Sequence, residues 1–310
     1  MEGALCDRRL GCAGRRRRPP RARAAALRAK QLRPGAAVLL LDRDDFPRDK
    51  ACGDGIAAHG RDELGLLGLP DLIADYRPTQ RLSVISPGGV RVSARVARPN
   101  HVVPRMVFDA RLVEAARARG VVVRRHRVRS LTSQDGRVVV DGELTARSVV
   151  AADGAHSTLR RLLGARPTPE RHTAIAVRGY ADMPDDEDAQ LIAMQRAGWP
   201  AYAWAFPIGD GTANVGFGML LPTLHATGLP GRQVLHGRLA ELLPHLPARD
   251  LRAHHLPLCR RAARSPASAR CCSRATPPAS STPSPARAST TRCCRAGSPA
   301  RRPSCPRATR

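Results

Sequence analysis

Not one acidic side chain occurs after Asp250, and that fact confines the foldable part of this chain to its middle. Residues 251–310 carry thirteen basic side chains and no acidic one, and residues 1–30 carry ten basic against two acidic. The central 220 residues therefore hold only +5 of the formal +26. Cysteine divides the same way, with eight of nine near the ends and only Cys52 between. Residues 259–310 are almost wholly Arg, Ala, Ser, Pro, Thr and Cys, without aromatics or apolar periodicity. Such a segment cannot bury enough surface to offset its ordering entropy, so a disordered tail is expected.

A charge of +26 ordinarily points to nucleic acid, because Lys and Arg gain by releasing phosphate counterions. A basic nucleic-acid-binding protein is thus the alternative from another class. Charge confined to the ends, 3% aromatics and no recognition motif argue against it. The adjacent pairs Cys271-Cys272 and Cys293-Cys294 lack the C-x-x-C spacing that turns two thiolates toward one zinc, so no metal is expected. No apolar run approaches the roughly 18 residues of a spanning helix, and Arg15 to Arg18 lead into Pro19-Pro20 rather than a signal core. A cytoplasmic chain is expected, with peripheral membrane contact left open and the oligomeric state unspecified.

The middle reads as α/β. Ala36 to Asp42 (AAVLLLD) is a strand-length apolar run ending in an acid, as a buried parallel strand would. Arg61 to Leu69 has helical spacing, and Arg81 to Val96 alternates around Pro87-Gly88-Gly89 as a hairpin. Asp109 to Arg119 reads as a helix with Asp109 as N-cap and Gly120 as stop, feeding a β-rich VVVRRHRV. Val138 to Val140 and Ser148 to Ala152 supply two further strands. Beyond Pro167 come the short antiparallel strands TAIAVRGYA, QLIAMQ, AYAWAFPI and TANVGFGML.

Four stretches carry a family resemblance: LLLDRDDFPRDKACGDGI (Leu39 to Ile56), VPRMVFDARLVEAARARG (Val103 to Gly120), VVAADGAHSTLRRLLG (Val149 to Gly164) and YAWAFPIGDGTANVGFG (Tyr202 to Gly218). In this order they resemble the geranylgeranyl reductase family, flavoproteins related to p-hydroxybenzoate hydroxylase, over roughly residues 25–258. The resemblance implies a Rossmann-like FAD-binding domain (25–80 and 100–166) interleaved with an antiparallel β-sheet substrate domain (81–99 and 167–258). It implies FAD as cofactor, NAD(P)H or ferredoxin as electron donor, and an apolar small-molecule substrate whose C=C bonds are reduced. An FAD-dependent aromatic-ring monooxygenase is the alternative, since hydroxylases share the Asp-Gly motif.

Particular residues follow. Asp42, with Arg43 after it, ends a strand where a dinucleotide fold places an acid on the adenosine ribose. Cys52-Gly53-Asp54-Gly55 is a Gly-rich turn whose backbone can approach a ring closely, and by resemblance Cys52 faces the isoalloxazine. Arg105 matches the family's cofactor-contacting Arg, its guanidinium fork suiting diphosphate or ribityl oxygens. By resemblance Asp153 accepts from the ribityl chain and Gly154 lets the backbone pass. Tyr202, Trp204 and Phe206 alternate and so share one strand face, forming either a substrate wall or the core of the antiparallel sheet. No catalytic residue is assigned, and the proton donor stays unnamed.

The superfamily's Gly-x-Gly-x-x-Gly turn before Asp42 and its late Gly-Asp motif are absent as written. Read one base earlier, Cys271 to Ser298 can spell LLAGDAASLINPLTGEGIYYALLSGRL, with Gly-Asp across Arg274 to Thr276. An opposite shift lets Gly14 to Ala22 read VVGAGPPG. Residues 1–24 and 259–310 are thus expected to be out-of-frame translations, and with these termini FAD retention is expected to be poor. Resequencing the coding DNA should reveal a frame change on each side of the central region; one unbroken frame with these codons confirmed refutes the expectation.

Overall fold

A computed structural model describes residues 21–184 and 187–258. The expected glycine turn and the C-terminal tail lie outside the described residues. Helix α1 (Arg21–Leu32) precedes strand β1 (Leu39–Asp42). Residues 21–24 are therefore helical, although the sequence suggested that in-frame structure begins at 25. The cause is packing: Leu27 is fully buried in a cluster with Phe108, Leu112, Val113 and Ala116. The short strand β2 (Gly55–Ile56) leads into helix α2 (Ala58–Leu66). Strands β3 (Pro78–Ile85) and β4 (Arg91–Val102) then form the antiparallel hairpin that the alternation anticipated.

Helix α3 (Arg105–Ala118) begins four residues before Asp109. Asp109 is thus a fully buried residue inside the helix and not its N-cap. Pro104 marks the start, because its fixed φ is compatible with a helix entrance, while the Asp109 carboxylate is consumed by Arg105 one turn earlier. Gly120, at φ +73°, ends the helix as its lack of a Cβ allows. Strand β5 (Val122–Arg125) then pairs in parallel with β1, Leu39 opposite Val122 and Asp42 opposite Arg125. A small meander follows, β6 (Leu131–Gln134), β7 (Arg137–Val140) and β8 (Leu144–Ala146).

Ser148 to Ala152 is not a strand. It pairs with no neighbour among the described residues, and Val150 is 63% exposed. Apolar β-branched composition cannot make a strand without a partner to take its backbone groups. Helix α4 (Thr158–Leu162) follows directly.

The rest of the fold is one large sheet. Strands β9 (Thr173–Asp182), β10 (Ala189–Gln195), β11 (Ala201–Pro207) and β12 (Thr212–Leu220) join β3, β4 and β2. After helices α5 (Leu221–His225) and α6 (Gly231–Leu242), strand β13 (Arg249–Pro257), which the sequence did not suggest, closes the far edge on β9. The order is β13-β9-β12-β11-β10-β3-β4-β2, antiparallel except where β10 runs parallel to β3. Period-2 alternation decides the packing. Val177, Ala203, Ala205, Val215 and Phe217 face a core closed by Leu235 and Leu239 of α6, leaving the intervening residues on the opposite face.

On that opposite face, Trp204 sits across from Gly216 in register, and Gly216 from Arg178. The indole lies over the glycine, so a methyl group at Gly216 would meet the Trp204 ring and the Val177 carbonyl. Gly216→Ala is expected to lower stability by about 1–3 kcal/mol, the usual cost of overpacking, measured by urea denaturation. An unchanged midpoint would show that the indole does not rest there.

Candidate functional site

The turn between β1 and β2 holds the expected Cys52 to Gly55 segment, and the large sheet positions it. Asn214 of β12, fully buried, donates through Nδ2 to the Cys52 carbonyl at 2.9 Å and to Asp54 Oδ2 at 2.7 Å. The same Asn214 accepts from the Trp204 indole through Oδ1 at 2.9 Å. Tyr180 of β9 donates its hydroxyl to Asp54 Oδ2 at 2.9 Å. Two donors thus converge on one carboxylate oxygen, while the buried Oδ1 has no hydrogen-bond partner among the described residues. Asp54 itself stands at φ 55°, a left-handed conformation that Asp tolerates better than most residues, and its carbonyl accepts from the Val103 amide.

Burial dominates the electrostatics of Asp54. At 1% exposure, desolvation pushes its carboxyl up to about 6, against the opposing hydrogen bonds from Tyr180 and Asn214 and the Arg178 charge. Burial likewise raises the Tyr180 hydroxyl, so it remains a donor. Arg178, 2% exposed, lies with its guanidinium 4.8 Å from the Tyr180 ring centre and donates to Asp49 Oδ1 and the Lys50 carbonyl, while its Nε and one Nη make no hydrogen bond among the described residues.

The aromatic triplet faces this turn. Tyr202, Trp204 and Phe206 share the face opposite the α6 core, with ring centres 6.1 and 6.5 Å apart. The sheet–helix core is built from the intervening Ala203 and Ala205 instead. A Cβ at Gly53 would stand 3.6 Å from both Phe206 and Trp204, so the Gly-rich turn lies against these rings. Tyr202, 45% exposed, ends the wall at solvent.

A second cluster gathers cations around two carboxylates. Asp109, wholly buried, accepts a two-pronged contact from Arg105 at 2.9 and 2.8 Å, with Arg23 and Arg48 at 3.5 and 3.6 Å. Asp42 at the tip of β1 takes Arg23 at 3.2 Å and Arg48 at 3.1 Å. Burial lowers the pKa of Arg23, and burial with neighbouring Arg105 and Arg48 lowers that of Lys50. Arg23, Arg48, Arg105 and Lys50 surround Asp42 and Asp109, with Asp44 3.9 Å from the Arg48 Nε, and among the described residues the buried Nε atoms of Arg23 and Arg48 make no hydrogen bond. Arg105 also faces the Cys52 thiol, which joins the two clusters.

The remaining expected residues stand apart. Arg43 is largely exposed and paired with Asp44, beside an open cavity of about 920 Å³ lined also by Arg125, Arg127 and Arg129. Asp153 accepts from the Ser157 hydroxyl and the Leu159 amide and so supports Ser157, the N-cap of α4, while Gly154 holds φ +87°. Among the described residues no group of three or more His, Cys, Asp or Glu could hold a metal. Sequence reasoning passed over Arg178 and Tyr180, although their spacing in an otherwise apolar strand already put an Arg and a Tyr on one face.

Comparison with known proteins fits this geometry. Residues 73–277 match the family described as FAD dependent oxidoreductase. Menaquinone reductase of Mycobacterium tuberculosis (strain ATCC 25618 / H37Rv) is 35% identical over 219 residues, covering 63% of this chain and 52% of that protein. Digeranylgeranylglycerophospholipid reductase 1 of Methanopyrus kandleri is 32% identical over 242 residues, covering 73% of this chain and 63% of that one. The chain thus spans about half to two thirds of the length of these relatives. Among solved structures, a geranylgeranyl bacteriochlorophyll reductase-like protein from Thermoplasma acidophilum superposes with a TM-score of 0.61 at 19% identity, covering 77% of this chain and 63% of that one. The flavin-dependent halogenase CmlS gives 0.60 at 22% identity, covering 77% and 48%. These two establish the α/β flavoprotein fold.

Asp54 makes stability depend on pH in an unusual direction. Its folded pKa, about 6, lies above the ordinary value of 3.8, so the folded chain holds this proton more tightly than the unfolded one. The stabilisation is complete below the ordinary value and is lost as pH rises to about 6, an effect of about 3 kcal/mol at most. The difference in unfolding free energy between wild type and Asp54→Asn should therefore shrink across that window. A constant difference would place the Asp54 carboxyl at an ordinary pKa.

Proposed function

The chain belongs to the FAD dependent oxidoreductase family, and from that premise we propose that it is a flavin-dependent reductase acting on C=C bonds of a prenyl or similarly apolar substrate. The observation that carries this reading is the Tyr202–Trp204–Phe206 wall, turned away from the sheet–helix core and set against the Cys52–Gly55 turn. An apolar wall beside a polar, desolvated turn suits an oily chain presented to a redox ring. Reductase names among the relatives support the substrate class.

The donor set fits the cofactor. Arg23, Arg48, Arg105 and Lys50 outnumber Asp42, Asp44 and Asp109, and two buried guanidinium nitrogens make no hydrogen bond among the described residues, which suits the charge of a flavin dinucleotide's diphosphate. Arg105 and the turn Cys52, Gly53, Asp54 and Gly55 would hold the ring and ribityl side, with Asp153-Gly154 along the same chain. Asp42 and Arg43 would hold the adenosine end, where β1 and β5 finish together. When bound and reduced, FAD supplies a hydride for C=C reduction. The protein's own tasks are to fix the turn, exclude water with the aromatic wall, and orient the substrate. Electrons would come from NAD(P)H or ferredoxin.

Two experiments test the reading. Protein purified without added flavin is expected to lose FAD on gel filtration and to regain it when FAD is supplied. Arg105→Ala should weaken that uptake about tenfold or more, since a charge-assisted contact is worth about 1.5–3 kcal/mol. With FAD restored, a prenylated quinone or digeranylgeranyl lipid should gain two mass units per bond reduced under anaerobic conditions, with NADPH and reduced ferredoxin offered separately. Oxygen consumption with insertion of oxygen into an aromatic ring would instead favour the monooxygenase.

A further inference from the structure

The saturation of a double bond needs a proton as well as a hydride, and the polar turn holds one candidate source. Asp54 Oδ2 already accepts from Tyr180 at 2.9 Å and from Asn214 at 2.7 Å. Neither donor can take a proton from that oxygen, and its acceptor capacity is filled. A proton bound to Asp54 therefore sits on Oδ1, the buried oxygen for which the described residues offer no partner. A carboxylic O–H in that position is a donor without an acceptor among the described residues, a costly arrangement unless something else receives it. The turn that carries it lies against Trp204 and Phe206, the wall assigned above to the substrate.

We infer that Asp54 is the acid of the reaction, delivering the proton on Oδ1 to one carbon of the substrate C=C bond. This rests on the reductase reading. The C=C bond gains a hydride from reduced flavin at one carbon and the Asp54 proton at the other. The substrate π bond, the Asp54 O–H bond and one N–H bond of the reduced flavin would break as two C–H bonds form, the flavin would be oxidised by two electrons, and the carboxylate left behind would recover a proton from water. Tyr180 and Asn214 act as positioning residues: both point their donors at Oδ2, which leaves Oδ1 as the proton-bearing atom. The charge state of Asp54 is also set by its other neighbours. Arg178 from β9 and Arg105 from α3 favour the carboxylate, and the buried setting opposes them with greater weight. Tyr76 is the further titratable group that feels the Asp54 charge.

The test uses the FAD-loaded full chain. Reduction rate under saturating substrate should fall as pH rises through about 6, the value to which burial pushes Asp54. With FAD held at saturation, Asp54→Asn should lower the rate about 10²-fold or more and flatten that profile. Tyr180→Phe, which removes one donor from the carboxylate, should keep the acid but move the fall in rate to higher pH. An independent reading comes without turnover: the difference infrared spectrum of the wild type should show a protonated carboxyl C=O band lost near pH 6 and absent from Asp54→Asn. A band that titrates in the ordinary carboxylate range overturns the proposal, as does full activity in Asp54→Asn. Wild-type protein that binds FAD and prenyl substrate yet reduces no C=C bond would sink the reductase reading itself; active wild type with an equally active Asp54→Asn sinks only the assignment of the acid.

Discussion

The structure turns on one side chain, Asn214. Its amide spans three elements at once, donating to the Cys52 carbonyl and to Asp54 and accepting from the Trp204 indole. A flexible glycine-rich turn has no apolar surface with which to fix itself. It is fixed here because a fully buried amide has every reason to satisfy its hydrogen-bonding groups, and the turn supplies the acceptors. The aromatic wall and the polar turn are therefore held in contact by the same residue. Losing Asn214 would leave a buried indole donor and a buried carboxylate short of partners together.

A second constraint is electrostatic. Asp109 lies at no exposure within α3, a location tolerable only because Arg105, Arg23 and Arg48 surround it. The same arginines reach Asp42, so helices α1 and α3 and the tip of β1 form one charged knot beside the turn. Its cations outnumber its carboxylates, and among the described residues two of its buried guanidinium nitrogens make no hydrogen bond. Cys52, beside Arg105, sits where the charged knot and the aromatic wall meet.

Much of this was legible along the chain. The strands β9, β11 and β12 were legible because each sets small or branched apolar residues toward α6 and alternates them with aromatic, polar or glycine residues on the other face. Gly120 and the Asp141-Gly142 turn announced themselves through backbone needs that few residues meet, and all three positions hold positive φ. Asp109 misled, because an acid ahead of an apolar helix has the composition of a cap; only the position of Arg105 one turn earlier turns it into an internal ion pair. Ser148 to Ala152 misled for another reason. Its apolar residues say that a strand would be welcome there, while strand formation also requires a neighbour.

The sequence by itself determined the α/β character, the segregation of charge to the ends, the family resemblance, and the face shared by Tyr202, Trp204 and Phe206. Each is local, written within a few residues as composition, period or motif. The tertiary structure alone decided that this aromatic face opposes the α6 core, that Asp54 meets Tyr180 and Asn214 from strands more than a hundred residues away, and that one of its oxygens finds no hydrogen-bond partner among the described residues. A pKa, a desolvated charge and an unpaired oxygen are properties of surroundings, and surroundings exist only once distant strands have been brought together.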